Sequence, residues 1–153
     1  MYQIDKRKWW NQLDDNWKNV FKEKMAFTYN YRGVTGFLKK RLGVEQPSEG
    51  DLENIFNLPE LYCDSNQIRD LEPLRAMTNL QNLVCWGNQI SDLEPLRALR
   101  NLQNLVCWDN QISDLKPLRT LMNLQELNCD SNQINDLELG EFKKAVPNCY
   151  VSS

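Results

Sequence analysis

The fold of this chain is decided by the segment Leu80-Gln81-Asn82-Leu83-Val84-Cys85-Trp86-Gly87-Asn88-Gln89-Ile90, which recurs almost unchanged 22 residues later. Related copies precede and follow these two, so that four repeats run from residue 58 towards the end of the 153-residue sequence. The repeats start at Leu58, Leu80, Leu102 and Leu124, and they share Cys63, Cys85, Cys107 and Cys129 at one position and Asn66, Asn88, Asn110 and Asn132 at another. A fixed period of this length predicts a solenoid, in which each unit buries its apolar face against its neighbours.

Within one repeat, the alternation of residues predicts a short β-strand. Leu83 and Cys85 occupy one face of that strand. Asn82, Val84 and Trp86 occupy the other face, in the two-residue period of a strand that is buried on one side. We therefore expect leucine and cysteine in the core and the alternating residues on the outer face of a sheet.

The second half of each repeat predicts a turn followed by a tight helical return. An inward-facing Asn88 can bond the backbone of adjacent turns, and its counterparts would extend those bonds into a ladder. The apolar residues that follow at spacings of three, as in a 3₁₀ helix, are Ile90, Leu93, Leu96 and Leu99. The prolines that can start the return are Pro73, Pro95 and Pro117, and the aspartates that can cap it are Asp70, Asp92, Asp114 and Asp136.

The pattern Leu-x-x-Leu-x-Cys-x-x-Asn-x-Ile-x-x-Leu, written four times over, resembles the leucine-rich repeat family. The 22-residue length and the cysteine in a slot usually held by leucine are similar to the short repeats of the cysteine-ladder internalins. The resemblance covers about residues 51–151. It implies an α/β solenoid, a right-handed superhelix with a parallel concave sheet and an N-terminal helical cap, but it says little about function, because such repeats serve many partners.

We predict three regions along the chain. Residues 1–50 form an N-terminal helical cap, residues 51–145 form the repeats with a degenerate repeat at 51–57, and residues 146–153 form a C-terminal capping strand. In that strand we expect Cys149 in a leucine slot and Val151 in the cysteine slot, because they lie 22 residues after Leu127 and Cys129. The segment from Glu138 to Ala145 is expected to form a short helix.

The N-terminal region predicts one amphipathic helix within residues 5–26 and a second, shorter helix around Thr35–Leu42. The apolar stripe of the first helix, at spacings of three and four, is Trp10, Leu13, Trp17, Val20, Phe21 and Met25. Two interpretations are open: the stripe covers the open end of the solenoid core, which we favour, or it binds a partner or a membrane surface. Ser48 with Asp51 predicts the start of a further helix.

Charge and hydropathy limit the classes of partner. The net charge of -3 divides into +4 over residues 1–50 and -7 over residues 51–153. The basic charges alternate with Asp14, Asp15 and Glu23, which favours a solvated helix face over nucleic-acid binding. No apolar run reaches the ~20 residues of a membrane span, and no signal peptide is visible. We therefore expect a cytoplasmic protein. A surface-bound or secreted protein is the alternative if the sequence has been trimmed.

The cysteines and acids predict structure rather than chemistry. Cysteines in one slot of successive repeats form a line, which cannot wrap a tetrahedral metal and whose parallel side chains do not point at each other for disulfides. We therefore expect buried, reduced thiols and no cofactor. The sequence has no histidine, and Asp70, Asp92 and Asp114 recur once per repeat as expected of helix caps. We predict that the chain is not an enzyme.

The outward strand positions vary between repeats and therefore indicate the binding face. Four columns cross the repeats: Glu60, Asn82, Asn104, Glu126; Tyr62, Val84, Val106, Asn128; Asp64, Trp86, Trp108, Asp130; and Ser65, Gly87, Asp109, Ser131. An exposed aromatic cluster with a polar rim is typical of a binding hot spot. We hypothesise that these columns bind a protein partner with basic flanks, with Trp86 and Trp108 as anchors.

Other interpretations of this patch remain open. Recent duplication could simply have copied the tryptophan, and stacking of Trp86 on Trp108 could merely stiffen the sheet. A different class of function is binding of a carbohydrate or small ligand, since paired tryptophans among amides and acids can stack on a sugar ring. We expect a monomer, although self-association through the same patch is a further possibility.

Overall fold

The computed structural model describes residues 4–30 and 46–153. The chain divides into two compact units, residues 1–56 and residues 57–153. The second helix expected around Thr35–Leu42 lies outside the described residues. None of the helices within the described ranges is long and apolar enough to cross a membrane.

The N-terminal unit begins with two helices where the sequence predicted one. Helix α1 spans Lys6–Gln12 and helix α2 spans Asp15–Asn30. Leu13, at the break, is extended, with φ -65° and ψ 141°. The Asp14 carboxylate then accepts a hydrogen bond from the Trp17 backbone N–H at 2.9 Å. Asp14 therefore caps a new helix. Its side chain accepts from the Trp17 amide, which in an uninterrupted helix would donate to a backbone carbonyl one turn earlier.

The predicted apolar stripe is nevertheless buried across both helices. Its described members are Trp10, Leu13, Trp17, Val20 and Phe21, all of them in the core, whereas the Met25 side chain lies outside the described part. Trp17 stacks on Phe21 with ring centroids 5.5 Å apart. Trp9 lies beside the stripe, edge-on to the Phe56 ring at 4.7 Å. The break in the helix therefore leaves the apolar face continuous.

Helix α3 spans Glu49–Phe56 and begins where Ser48 and Asp51 predicted it. Asp51 Oδ2 accepts from the Ser48 backbone N–H at 2.8 Å, and Ser48 Oγ accepts from the Asp51 N–H at 3.2 Å. This reciprocal pair is a capping box, which satisfies two amides of the first turn. The helix buries Leu52 and Ile55. Its assignment to a degenerate repeat at residues 51–57 stays a prediction.

The second unit is a stack of strands and tight returns. Its strands are β1 (Glu60–Tyr62), β2 (Asn82–Val84), β3 (Asn104–Val106), β4 (Glu126–Asn128) and β5 (Tyr150–Ser152). They form one parallel sheet in the order of the sequence. The 3₁₀ helices between them are η1 (Glu72–Leu74), η2 (Glu94–Ala98) and η3 (Lys116–Thr120), and helix α4 (Asp136–Ala145) precedes β5. The predicted strands and 3₁₀ returns are therefore confirmed.

The first four strands pair without a register shift. Leu61, Leu83, Leu105 and Leu127 stand side by side and are fully buried. The returns close the core with buried leucines and carry the predicted prolines as their second residues. The Asp70, Asp92 and Asp114 carboxylates accept from the backbone N–H two residues on, at 2.7 to 2.8 Å. These aspartates therefore fix the start of each return, as predicted.

The asparagine ladder holds neighbouring turns together. Asn110 Nδ2 donates to the carbonyls of Cys85 at 3.0 Å and Cys107 at 3.1 Å, and its Oδ1 accepts from the Ile90 N–H at 2.9 Å. Asn88 and Asn132 make equivalent bonds. One side chain thus bonds backbone groups of two repeats, and the carbonyls of Cys85 and Cys107 each accept from two successive asparagines of the ladder.

The C-terminal end departs from the predicted register. Val151 pairs with Leu127, 24 positions earlier rather than 22, so it fills the leucine slot and not the cysteine slot. Cys149, expected in the leucine slot, lies outside the strand and is half-buried. The reason is helix α4, whose ten residues replace a five-residue 3₁₀ return. Its cap is Asn135, which accepts from the Glu138 N–H at 2.9 Å, and not Asp136.

Candidate functional site

The outer side of the five-stranded sheet, which we call the strand face, carries the predicted site residues. They come from strands β1 to β4 and from the second and third residues after the end of each strand. Ser65 N–H donates to Trp86 O at 3.0 Å, and Gly87 N–H donates to Trp108 O at 3.1 Å. The in-register pairing therefore continues past the strands and aligns the third and fourth columns across the repeats.

Two tryptophan rings stack at the centre of the strand face. The rings of Trp86 and Trp108 are parallel to within 3°, with centroids 4.6 Å apart. Both side chains are half-buried. The separation matches the spacing of neighbouring strands, ~4.8 Å. The rings therefore stand on the sheet and stack along the direction that crosses the strands, so their edges point to solvent.

Apolar and aromatic side chains extend the centre towards the start of the strands. Val84 and Val106 are half-buried beside the rings, and Tyr62 is 50% exposed on β1. The Tyr62 hydroxyl donates to Glu60 Oε2 at 3.4 Å. An exposed tyrosine with its hydroxyl at the rim provides both an apolar body and a polar contact.

An amide ladder borders this centre on the first column. Asn82 Nδ2 donates to Glu60 Oε1 at 3.2 Å, and Asn104 Nδ2 donates to Asn82 Oδ1. On β4, Asn128 Oδ1 accepts from the Asp130 N–H at 3.4 Å. These bonds orient the polar side chains across the strands, so the rim is ordered before any partner arrives.

The strand face carries five acids. They are Glu60, Asp64, Asp109, Glu126 and Asp130, and none has an ion-pair partner among the residues that the structure describes. None of the four columns contains a lysine or arginine. The strand face therefore presents a net negative charge around an aromatic centre.

The acids of the returns contrast with those of the strand face. Glu72 and Glu94 pair with arginines three residues later, at 2.7 Å. Glu138 accepts from Arg119 at 2.9 Å and from the Leu115 N–H at 3.0 Å. The charges of Glu72, Glu94 and Glu138 on the return side are therefore compensated locally, whereas the five acids of the strand face have no such partner within the described ranges.

The backbone of the fourth column is left-handed. Ser65, Gly87, Asp109 and Ser131 have φ between 54° and 65°. Glycine adopts this conformation without steric cost, whereas serine and aspartate tolerate it less well. The repeated positive φ turns the chain away from the strand and leaves the third-column side chains on the outer side.

The cysteines lie directly beneath the strand face. Cys85 and Cys107 are fully buried, and burial raises the pKa of both thiols well above the usual value. Burial also raises the pKa of Cys129 to about 11, with the neighbouring Asp130 adding to the shift. The thiols are therefore neutral and act as small apolar groups. Within the described residues, no group of His, Cys, Asp or Glu side chains could hold a metal ion.

Sequence reasoning missed the contribution of β5 to the strand face. Tyr150 is 72% exposed and pairs with Glu126, so it extends the first column. Ser152 pairs with Asn128, and its hydroxyl donates to Asp130 Oδ2 at 2.7 Å. Neither residue was among the predicted strand-face residues, because a 22-residue register was assumed for this end of the chain. The signal that could have found them is the helical pattern of residues 136–145. A helix of that length needs more residues between β4 and β5 than a 3₁₀ return does.

Comparison with known proteins places the repeats in a family. Two copies of the family model described as leucine-rich repeats match residues 57–98 and 100–141. The chain therefore belongs to the leucine-rich repeat family. No curated protein sequence matches the chain significantly.

Solved structures of internalins are similar to this chain. An internalin (InlF) of Listeria monocytogenes is 31% identical, with a TM-score of 0.61 over 68% of this chain and 30% of that one. Internalin C2 of the same organism is 40% identical, with a TM-score of 0.61 over 69% and 46%. The functional domain of InlJ, whose description includes a cysteine ladder, is 29% identical, with a TM-score of 0.57 over 66% and 21%.

These structures confirm the predicted kind of repeat. The chain is similar to internalins both in its short repeats and in its buried row of cysteines. It spans less than half the length of each of the three structures. The similarity therefore concerns the repeat region.

Proposed function

We propose that this chain is a protein-interaction module that binds a partner through the strand face, which is the concave face of a leucine-rich repeat solenoid. The observation that carries the proposal is the stacked Trp86–Trp108 pair surrounded by unpaired acids. Large aromatic side chains in a polar rim dominate the energy of many protein interfaces. Catalysis forms no part of the proposal, since the described pKa shifts on the strand side belong to buried thiols.

The charge of the strand face selects the kind of partner. Five acids that have no ion-pair partner in the described part of the chain favour a partner whose contact surface is basic, because complementary charge speeds association and disfavours acidic competitors. The amide ladder and the stacked rings are held by contacts within the chain. Ordering them on binding therefore costs little entropy.

A structural role of the tryptophan stack is compatible with this proposal. Stacking on a neighbouring strand stabilises the sheet and at the same time fixes the rings for a partner. The carbohydrate alternative would use the same surface, since each ring gives only one of its faces to the other. Titration of sugars followed by tryptophan fluorescence would test it.

The proposal can be tested by pull-down from lysate of the source cells, followed by titration of the identified protein. The comparison is between wild type and the Trp86→Ala/Trp108→Ala variant, with circular dichroism showing that both are folded. Loss of two anchor side chains should weaken binding by about 30-fold or more. The binding should also weaken as salt rises from about 0.05 M to 0.5 M.

The control removes an exposed apolar side chain elsewhere. Met122 is 66% exposed and lies after η3, outside the strand face. Met122→Ala should bind as the wild type does. If the Met122 variant and the tryptophan variant lose the partner equally, or if neither loses it, the strand face is not the binding surface. Light scattering over a range of concentrations checks for self-association, which would make a second copy the partner.

A further inference from the structure

The third column of the strand face has an acid at each end of the tryptophan stack. Its order across the strands is Asp64, Trp86, Trp108 and Asp130. The Asp109 N–H donates to Asp130 O at 3.0 Å, which holds the fourth member in register with the others. The column is therefore acid, ring, ring, acid, with one strand spacing between successive members.

Each ring of the stack has one face that its neighbour leaves uncovered. The two rings are parallel and 4.6 Å apart, so the inner faces cover each other. The outer face of Trp86 is turned towards β1, on which Asp64 follows. The outer face of Trp108 is turned towards β4, which Asp130 follows. Asp64 and Asp130 thus lie one strand spacing beyond the two outer faces of the stack, Asp64 next to Trp86 and Asp130 next to Trp108 in the column.

A ring face beside a carboxylate is a site for a cation. The face of an indole ring attracts cations through its quadrupole, and the carboxylate adds a charged hydrogen bond. Asp64 has no side-chain partner among the described residues, and Asp130 accepts only from the neutral Ser152 hydroxyl. Both carboxylates therefore keep their charge available. A guanidinium fits best, because it is planar, stacks on rings and donates in a fork.

We propose that the strand face holds two arginine-binding slots, Trp86 with Asp64 and Trp108 with Asp130, and that the partner spans them with one extended segment. This inference rests on the proposed function of the strand face. Cations in contact with the two outer ring faces, about 3.5–4 Å from each ring, lie about 12 Å apart. An extended chain rises about 3.3 Å per residue, so the two arginines are about four positions apart.

The residue between the two arginines is apolar. The space between the slots is occupied by the edges of the two rings and by the half-buried Val84 and Val106. An apolar side chain midway along the segment would cover these groups, whereas a charged one would lose hydration without finding a partner. The segment therefore crosses the strands and does not add to the sheet edge.

Synthetic peptides test the slots directly. The probe has two arginines four positions apart and a leucine midway, in a glycine–serine background. Matched peptides have the arginines two positions apart, or citrulline in place of both arginines. Titration is followed by calorimetry and by tryptophan fluorescence at low salt. We expect the four-position peptide to bind about three- to ten-fold more tightly than the two-position peptide, and the citrulline peptide to bind weakest.

Variants of the protein identify the slots. Asp64→Asn and Asp130→Asn should each weaken the four-position peptide about three- to ten-fold and remove its advantage over the two-position peptide. Glu72→Gln, which removes an acid from the return side, should leave its binding unchanged. The proposal is overturned if the four-position peptide shows no advantage, or no saturable binding up to about 5 mM.

The outcome is separable from that of the proposed function. If the isolated partner depends on Trp86 and Trp108 but binds Asp64→Asn and Asp130→Asn as it binds wild type, the strand face is the site and the arginine slots are wrong. If the partner also ignores the tryptophans, the proposed function itself fails. Retained binding of the four-position peptide alone would then show that the slots exist without serving that partner.

Discussion

The two interior repeats, which begin at Leu80 and Leu102, differ from the outer repeats in what the same sequence positions do. On the strand face, the interior repeats present amides, valines and stacked tryptophans with a single acid, Asp109, whereas the repeats that begin at Leu58 and Leu124 each present two acids. In the core, interior positions contact a like repeat on both sides. The difference teaches that the role of a position depends on its neighbours as much as on its residue type.

The asparagine position shows this most directly. Asn88 and Asn110 are buried and bond the backbone of two repeats. The Asn66 side chain donates only to the carbonyl of Asp64, within its own turn. A residue that is identical in the sequence therefore stabilises two repeats in the interior and one turn in the first repeat.

The largest expected effect is that of Asn110→Ala on stability. The substitution leaves the carbonyls of Cys85 and Cys107 and the N–H of Ile90 without the bonds that Asn110 now makes. The Ile90 N–H is then buried without a partner, which costs about 1–3 kcal/mol, whereas the two carbonyls keep their bonds from Asn88 and Asn132 and lose about 0.5–1 kcal/mol each. We expect the free energy of unfolding, measured by urea titration, to fall by about 3 kcal/mol.

Asn66→Ala is the matched variant at the same repeat position. It removes one local hydrogen bond, so the loss should be about 1 kcal/mol or less. Equal losses for Asn66→Ala and Asn110→Ala would mean that the ladder bonds do not carry the difference between interior and outer repeats.

The next effect is a loss of stability in alkali, caused by the buried thiols. Burial raises the pKa of Cys85 and Cys107, and it raises the pKa of Cys129 to about 11. In the unfolded chain these thiols ionise near pH ~8.5. The stabilisation is therefore complete below that pH and is lost as the pH rises towards 11, by up to about 1.4 kcal/mol per pH unit for each thiol.

Urea titrations between about pH 8 and pH 10 would measure this loss of stability. Cys107→Ala keeps the other buried thiols but removes one. Its free energy of unfolding should therefore fall less steeply with pH than that of the wild type, and the difference in slope is the contribution of the Cys107 thiol. Parallel pH profiles for the two proteins would show that the Cys107 thiol ionises equally easily in the folded and unfolded chain.

A smaller effect is the coupling between Trp86 and Trp108. A double-mutant cycle with Trp86→Leu, Trp108→Leu and the double variant should give a coupling of about 1 kcal/mol in the free energy of unfolding, since the rings stack at 4.6 Å. Near-ultraviolet circular dichroism should change in the single variants as it does in the double variant. A coupling near zero would indicate that duplication copied the tryptophan without a structural gain.

The smallest effect contrasts the charges of the two sides of the repeat. Asp64→Asn removes an unpaired acid from a negative surface and should raise the Tm at low salt. Glu94→Gln breaks a surface ion pair with Arg97 and should lower it. Both shifts are small and should shrink at about 1 M salt. A lower Tm for Asp64→Asn, measured by calorimetry, would show that this carboxylate has a stabilising partner.

The arrangement of the repeats could be predicted because each position recurs with the same neighbours. The burial of Leu83 and Cys85, the 3₁₀ returns and the bonds of Asn88 follow from a period that leaves one strand and one return per unit. Local spacing and the stacking of like units are sufficient for these features.

Two errors arose where that regularity ends. Helices α1 and α2 keep their apolar residues in the core, so the periodicity continued across the break at Leu13 and hid it. At the C-terminal end, a fixed period of 22 residues did not allow for helix α4, which is longer than a 3₁₀ return. Val151 was therefore assigned to the wrong slot. Periodicity reports which face is buried but not how many residues a connection uses.

By itself the sequence determined the repeat, its core positions and the columns of the candidate site, because side-chain direction along a strand follows from spacing alone. Only the tertiary structure decided that Trp86 and Trp108 stack face to face and that β5 adds Tyr150. It also decided that Glu72 and Glu94 have arginine partners, whereas the strand-face acids have none among the residues described. These features depend on distances between side chains of different repeats. Such distances are set by packing between repeats, and they cannot be read from the spacing of residues along the chain.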